Sequence, residues 1–336
     1  MDTPPTILAT GLVIDRQGQG TTFPSAGGNS ANSKVQAVYW RCVVAFFASA
    51  RLADPHQRLA LFCNDEPPTI DGVQITRVLA RYGVELRRVP LTTRLSADRT
   101  TSWGNALYFH DIMTSLEGEP DSLRLALVDS DVLVTQPLDR LFAMLDRAEF
   151  VGYPVETAPD EVVNGMTPRE MAVCAGGLVG KPFQPLVHFG GELFATAVGA
   201  WKRHSKLFRA ILDQAAYGQG PGSGITTEEH VYSIAFALLG NDVATAEGLI
   251  KRIWTSPRHN TVQPGDENLP IWHLPAEKRY GLADLFHWLA RNDFPVTLPP
   301  GQFLEKAKAL CGVPTKSPSK WIRDGARQVI AKLPKP

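Results

Sequence analysis

The sequence lacks most of the features that would classify it at sight. Its 336 residues include only four cysteines, Cys42, Cys63, Cys174 and Cys311, widely spaced and with no CxxC pair. That spacing suggests neither a zinc site nor a disulfide framework and fits a reducing compartment. Charge of one sign is not in excess, since 34 Lys and Arg balance 34 Asp and Glu. The chain as a whole therefore has no basic surplus to neutralise a phosphate backbone, and no nucleic-acid partner is expected. No apolar run reaches the roughly 18 residues needed to span a bilayer, and residues 1–11 lack the basic and apolar regions of a secretion signal. A cytoplasmic protein is expected. Gly27-Gly28-Asn29 is not a GxGxxG fingerprint, which disfavours NAD.

What is present is an ordinary globular balance, 44% hydrophobic and 20% charged, with length for one large domain or two fused lobes. In the first half short apolar runs alternate with stretches of helical period, the pattern of βαβ units and a mostly parallel sheet. Residues 7–14, 59–63 and 85–89 read as strands. Val35, Val38, Tyr39, Cys42 and Phe46 share one helical face, and further helices are predicted over 73–82 and 103–116. The decisive run is 123–134, LRLALVDSDVLV, an apolar strand interrupted by Asp129 and Asp131, after which Gln136-Pro137 opens a helix. The second half is less regular. It reads as strands over 150–154, 188–196, 251–255 and 269–274, a polar loop over 160–169, a Gly-rich loop over 218–224, and a helix after Thr226-Thr227-Glu228-Glu229-His230. No internal repeat is present.

Asp-x-Asp alone is a weak signal, but its place sharpens it. At the end of a buried parallel strand the two carboxylates face the crevice where α/β sheets bind ligands, and hard oxygen ligands suit Mg2+ or Mn2+ bridging to phosphates. A buried acid pair without a cation would repel and desolvate badly. The competing reading is a solvated turn in which one Asp caps a helix. A phosphatase of the DxDxT/V type is disfavoured because Leu133 stands two residues after Asp131. Thr226-x-x-Glu229 doubles as a capping box, which accounts for Glu229 but not Glu228. A helix N-terminus would keep either carboxylate ionised, as a base, a nucleophile or an oxocarbenium stabiliser requires.

The run LALVDSDVLVTQPLDRLF, residues 125–142, resembles the DXD segment of the retaining GT-A glycosyltransferases related to glycogenin and the bacterial lipopolysaccharide galactosyltransferases, and later motifs follow in the same order. HFGGELF (188–194) is similar to their acceptor-side strand, TTEEH (226–230) stands in place of their acidic DQD-like segment, and IWHLPAEKRYG (271–281) is similar to their late His and Lys segment. The resemblance spans residues 7–285. It implies a GT-A Rossmann-like α/β fold, with a mixed, mostly parallel sheet flanked by helices and a C-terminal helical tail. Its parts would be a nucleotide-sugar-binding half (1–135), an acceptor-side half of the same domain (136–312) and a basic amphipathic tail (313–336).

The implied activity is transfer of a sugar from a nucleotide diphosphate sugar, UDP-linked by analogy, to a glycan or lipid-linked acceptor with retention. An inverting transferase with Glu228 or Glu229 as base, or an inactive nucleotide-sugar-binding protein, would fit the same residues. Asp129, Asp131 and His273 are the implied ligands of Mn2+ or Mg2+, and Lys278 the implied partner of the diphosphate. A neutral imidazole would complete the oxygen-rich site, and an ammonium would offset charge on the leaving group. The plainer readings are a core-edge histidine beside Trp272 and a solvated Lys278 between Glu277 and Arg279. Ala9 and Thr10 by their backbone, Asp65 at the end of the second strand, and Asn105 complete the expected donor contacts. The chain departs from the family where His188-Phe189-Gly190-Gly191 replaces Asn-x-Gly, which makes Glu192 the substitute for the missing Asn. The His273 to Lys278 spacing is one residue short, and Trp103 or Asn105 stands near the place of an arginine.

Beyond a Pro/Ser/Lys-rich stretch (313–320), the tail has Lys316, Lys320, Arg323, Arg327, Lys332 and Lys335 against one acid, Asp324. Trp321, Ile322, Ala326, Val329, Ile330 and Leu333 recur at near-helical spacing. That is the composition of an interfacial anchor on the inner, anionic face of a membrane; the alternative is an apolar stripe packed on the catalytic domain.

Overall fold

The structure is a computed structural model that describes residues 4–95, 102–217, 224–256 and 259–332. Most of the predicted Gly-rich loop, and Leu333 and Lys335 of the tail, lie outside the described residues.

The first three apolar runs become β1 (Thr6–Leu12), β2 (Arg58–Cys63) and β3 (Val84–Arg88), all parallel, and the decisive run becomes β4 (Arg124–Val128), parallel to β1. Asp129-Ser130-Asp131 form the turn into β5 (Val132–Val134). The sheet is completed by β6 (Phe150–Val155), β7 (His188–Ala197) and β8 (Val243–Thr245), in the order β8-β6-β7-β4-β1-β2-β3. Only β7 runs against its neighbours, antiparallel to both β6 and β4. A small second sheet joins β9 (Ile250–Arg252), β10 (Ile271–His273) and β5. Its register sets Arg252 beside His273 and His273 beside Val132. The central and the small sheet therefore meet at the Asp129-Ser130-Asp131 turn.

The helices are α1 (Ser33–Ala53), α2 (Ile75–Arg81), α3 (Tyr108–Ser115), α4 (Asp139–Met144), α5 (Pro168–Val179), α6 (Val198–Tyr217), α7 (Glu228–Leu239), α8 (Gly281–Arg291), α9 (Gln302–Cys311) and α10 (Pro318–Lys332). Two apolar layers, one on each face of the sheet, hold them. In the first, every α1 residue from Cys42 to Ala50 is buried, because α1 meets the sheet, β5 and α8 at once. Such a helix is apolar all round rather than amphipathic. Its one polar residue there, Ser49, accepts a hydrogen bond from Val134 N at 2.9 Å and so satisfies a buried backbone donor of β5. In the second layer, Phe194 of β7 stacks on Tyr232 of α7 with ring centroids 4.8 Å apart.

Three local expectations change. The polar loop over 160–169 ends in α5, started by a Thr167–Glu170 capping box with Pro168 in the first turn. The box expected at Thr226 and Glu229 does not form: Thr227 is the N-cap of α7 without a side-chain bond, and Thr226 Oγ1 donates instead to Asn164 O at 3.2 Å. The tail does form a helix, α10, and four basic residues of the tail pair with acids. Lys320 is 1% exposed against Glu277, Lys316 pairs with Asp324, and Arg323 and Arg327 pair with Asp284, whereas Ile322 is 75% exposed. Among the described side chains, this helix meets the domain through ion pairs with its acids. The side chains of Lys316 and Lys320 are thereby buried, while Arg323 and Arg327 stay partly exposed. Among the described residues no helix is long and apolar enough to cross a membrane.

Candidate active site

A cleft of about 330 Å3 opens where β1 and β4 end and β7 begins, the position at which α/β sheets leave room for a ligand. The turn after β4 presents Asp129 and Asp131, and β10 brings His273 to them. One ligand atom from each of the three lies within 4.8 Å of the others. His273 Nε2 is 3.2 Å from Asp131 Oδ2 and 3.5 Å from Asp129 Oδ2.

These charges set one another. Burial opposes ionisation of Asp131, but Lys278 and then His273 outweigh it and hold the carboxyl well below the usual carboxylate range. Asp129 is the most open of the group, with 43% of its side chain exposed. The cleft walls and the charge of Asp131 nevertheless push its carboxyl up to about 7. Burial disfavours a charged His273, yet Asp131 and Glu192 push it up to about 9. Lys278 Nζ lies 2.6 Å from Asp131 Oδ2 and 5.7 Å above the Tyr39 ring.

The buried polar atoms of this group suit a cation. His273 Nε2 and Asp131 Oδ2 approach each other without hydrogen-bond geometry, although both are buried. On the far side of the ring, Nδ1–H donates to Glu192 Oε1 at 3.1 Å, which turns Nε2 to the two acids and makes it the nitrogen that is freed when a cation displaces the ring's second proton. A carboxylate behind a histidine is the usual orienting arrangement at metal sites. Two oxygens and one imidazole nitrogen fit Mn2+ or Mg2+.

Glu192 is therefore not free to touch a substrate. It is fully buried, and Arg252 of β9 grips both of its oxygens at 2.6 and 2.7 Å. Its carboxyl stays well below the usual range because Arg252 and His273 outweigh burial. The same guanidinium donates to Glu229 Oε1 at 2.8 Å, while Glu229 Oε2 accepts from Asn164 Nδ2 at 2.6 Å and His188 Nε2 at 3.3 Å. Burial opposes ionisation of Glu229, but the His188 bond and Arg252 hold its carboxyl down at about 2. Glu228 behaves in the opposite way. It lines the cleft with Oε2 buried and unbonded, and burial, then Glu229 and Asp129, push its carboxyl well above the usual range. The helix N-terminus was expected to keep both glutamates ionised; here desolvation wins at Glu228.

Among solved structures, the chain superposes on an active-site mutant of LgtC with a TM-score of 0.50 at 13% identity, covering 88% of this chain and 98% of that one. The chain has the GT-A fold. A second LgtC structure, a galactosyltransferase with donor and acceptor sugar analogs, gives a TM-score of 0.49 at 13% identity over 94% and 99%. Mouse xyloside xylosyltransferase 1 in its apo form gives 0.45 at 12% over 80% and 97%. No family model matches, and no curated protein matches in sequence.

Within this GT-A frame Asn105 lines the cleft, as do Asp129, Asp131, Glu228, Glu229, His273 and Lys278. Ala9 and Thr10 do not reach it. Both are fully buried inside β1, and the strand continues to Leu12, so that Gly11, Leu12 and Val13 form the wall. At about 3.3 Å per residue those two or three positions decide the matter. Asp65 is also elsewhere: it follows β2, one strand further from β4, and pairs with Arg16 on the surface at 2.9 Å.

Arg252, Asn164 and His188 were not singled out by sequence reasoning, although a signal existed for two of them. Arg252, with Lys251, interrupts the apolar run Leu249 to Trp254, and Asn164-Gly165 is a hairpin-turn dipeptide. Both take positive φ, 51° and 103°, beside the Val163–Met166 bridge. Nothing local marked His188 as a partner of Glu229.

Proposed function

We propose that the protein is a glycosyltransferase that transfers a sugar from a nucleotide diphosphate sugar, UDP-linked, to a hydroxyl of a glycan or lipid-linked acceptor. The observation that carries this reading is the Asp129, Asp131 and His273 cluster at the carboxyl end of β4 in a GT-A fold, with Lys278 beside it. Asp129, Asp131 and His273 would hold Mn2+ or Mg2+, which when bound supplies Lewis-acid neutralisation of the departing diphosphate. Lys278 binds a diphosphate oxygen once it leaves Asp131. Glu192 keeps Nε2 of His273 turned to the acids, and Arg252 keeps Glu192 ionised.

Retention of configuration is the favoured outcome. An inverting route needs an ionised carboxylate free to take the acceptor proton. Glu229 is ionised but committed to Arg252, Asn164 and His188, while Glu228 faces the cleft with its carboxyl pushed well above the usual range by burial and by Glu229 and Asp129. In its protonated form Glu228 would donate a hydrogen bond to a sugar or leaving-group oxygen instead.

The test is incubation with a panel of nucleotide sugars with and without Mn2+, following donor hydrolysis and the anomer released. Metal-dependent hydrolysis of one donor, giving first the donor's own anomer, is expected. Binding without any turnover would make the chain a nucleotide-sugar-binding protein, and the inverted anomer would restore Glu228 or Glu229 as base.

A further inference from the structure

The tail helix bears on the cleft. Lys320 Nζ of α10 lies 2.7 Å from Glu277 Oε2, and each residue is 1% exposed. The same oxygen accepts the Gly281 backbone N–H at 2.7 Å, at the N-terminus of α8, and Oε1 accepts from Thr255 Oγ1. Glu277 thus ties three elements together and closes the short helical turn Pro275–Glu277, whose next residue is Lys278. That turn is also the link from His273 to Lys278. There is no slack around it: a Cβ on Gly281 would lie 2.6 Å from both Glu277 Oε2 and Leu310 O. Lys316 adds a second brace, pairing with Asp324 at 2.6 Å, and Asp324 in turn pairs with Lys320 at 3.0 Å. A buried carboxylate that loses its paired cation must protonate or move, and here moving would shift the backbone that aims Lys278 at Asp131.

We propose that Lys320 is a positioning residue for Lys278, acting through Glu277, so that the C-terminal helix sets the diphosphate-binding end of the cleft. This rests on the glycosyltransferase reading, in which Lys278 meets the donor diphosphate. It assigns the tail a role inside the site.

The test is a double-mutant cycle read by UDP binding in the presence of Mn2+, with melting temperature followed in parallel. Lys320→Met is paired with Glu277→Gln so that no unpaired carboxylate is left buried, and Lys320→Arg serves as the conservative rescue. Lys320→Met alone is expected to weaken UDP binding by about tenfold and to have no further effect in a Lys278→Met background, and the paired variant to recover most of that loss, a non-additivity within the range found in one ion-pair network. Lys320→Arg should bind nearly as wild type. An equal loss in both backgrounds, or a lower melting temperature with unchanged UDP binding, would overturn the proposal and leave the tail a structural brace. A wild-type protein that binds neither UDP nor Mn2+ would overturn the glycosyltransferase reading together with this one.

Discussion

Lys278 occupies ground that a metal ion would share, since its ammonium is 2.6 Å from Asp131 Oδ2. Two like unit charges 4 Å apart repel by about 4 kcal/mol at an effective dielectric of 20. Lys278→Met should therefore tighten binding of Mn2+ alone, by roughly tenfold or more, while weakening UDP binding. Calorimetric titration of each ligand separately checks this, and a loss of Mn2+ affinity would count against the assignment of Asp131. Arg252 has the reverse character, because its guanidinium is the hub between Glu192 and Glu229. Removing one partner of a buried ion pair costs about 3–5 kcal/mol, so Arg252→Met should lower stability by that order in denaturant unfolding. It should also reduce Mn2+ affinity about 10- to 100-fold, as loss of an orienting partner behind a metal-binding histidine does. Arg252→Lys keeps the charge but not the two-pronged geometry and should recover only part of each loss.

The junction of β7 and α7 makes a similar distinction between elements, through two glycines. A Cβ on Gly191 would fall 2.2 Å from Glu228 Oε1, the end of a flexible side chain. Gly191→Ala should then displace Glu228 and cut turnover while leaving the melting temperature nearly unchanged. A Cβ on Gly152 of β6 would meet the rings of Phe236 and Phe189 at 2.6 and 2.8 Å, and rings locked in a core cannot step aside. Gly152→Ala should cost about 1–3 kcal/mol, the usual penalty of overpacking, without touching donor binding. Thermal melts and single-donor kinetics on the pair separate the two outcomes; equal destabilisation by both would show Glu228 to be held rigidly.

For the whole molecule the cleft charges impose a pH dependence that metal should reverse. His273, raised from 6.5 to about 9, contributes stability that is fully present below pH 6.5 and lost as pH rises through 9. Asp129, raised from 3.8 to about 7, is the opposite kind of carboxylate: its charging works against the fold between those values. Both make the metal-free protein bind more protons folded than unfolded, so its melting temperature should fall from pH 6.5 to 9. Glu229, held down at about 2, contributes stability present above its unfolded pKa and lost as pH drops through 2, which sets the acid limit. Mn2+ needs a neutral imidazole and ionised carboxylates, and its binding releases protons. Saturating Mn2+ should cancel or invert the alkaline decline, and melting curves from pH 6 to 9 with Mn2+ or with chelator would reveal it. Identical slopes in the two series would remove the metal from the cleft.

The sequence by itself determined the alternation of strands and helices in the first half, the parallel core of the sheet and the place of Asp129 and Asp131 at a strand end, because periodicity and strand order are local and the pair sits in an unbroken apolar run. It also held the signals for α5, in Thr167-Pro168 and Glu170, and for the Asn164-Gly165 turn, though these are read only by looking for caps and turns. What tertiary structure decided was the meaning of each charge. Glu192 and Glu228 are both buried glutamates near the cleft, but one meets Arg252 and His273 and is held well below the usual carboxylate range, while the other meets further carboxylates and is pushed well above it. The tail shows the same limit: its basic pattern left a lipid-facing surface and a face packed on the domain both open, and the acids that pair with Lys320 and Arg327, Glu277 and Asp284, lie some 40 residues away in sequence. A side chain's periodicity is written in its neighbours along the chain, whereas its protonation and partners depend on which distant residues the fold brings within a few ångströms.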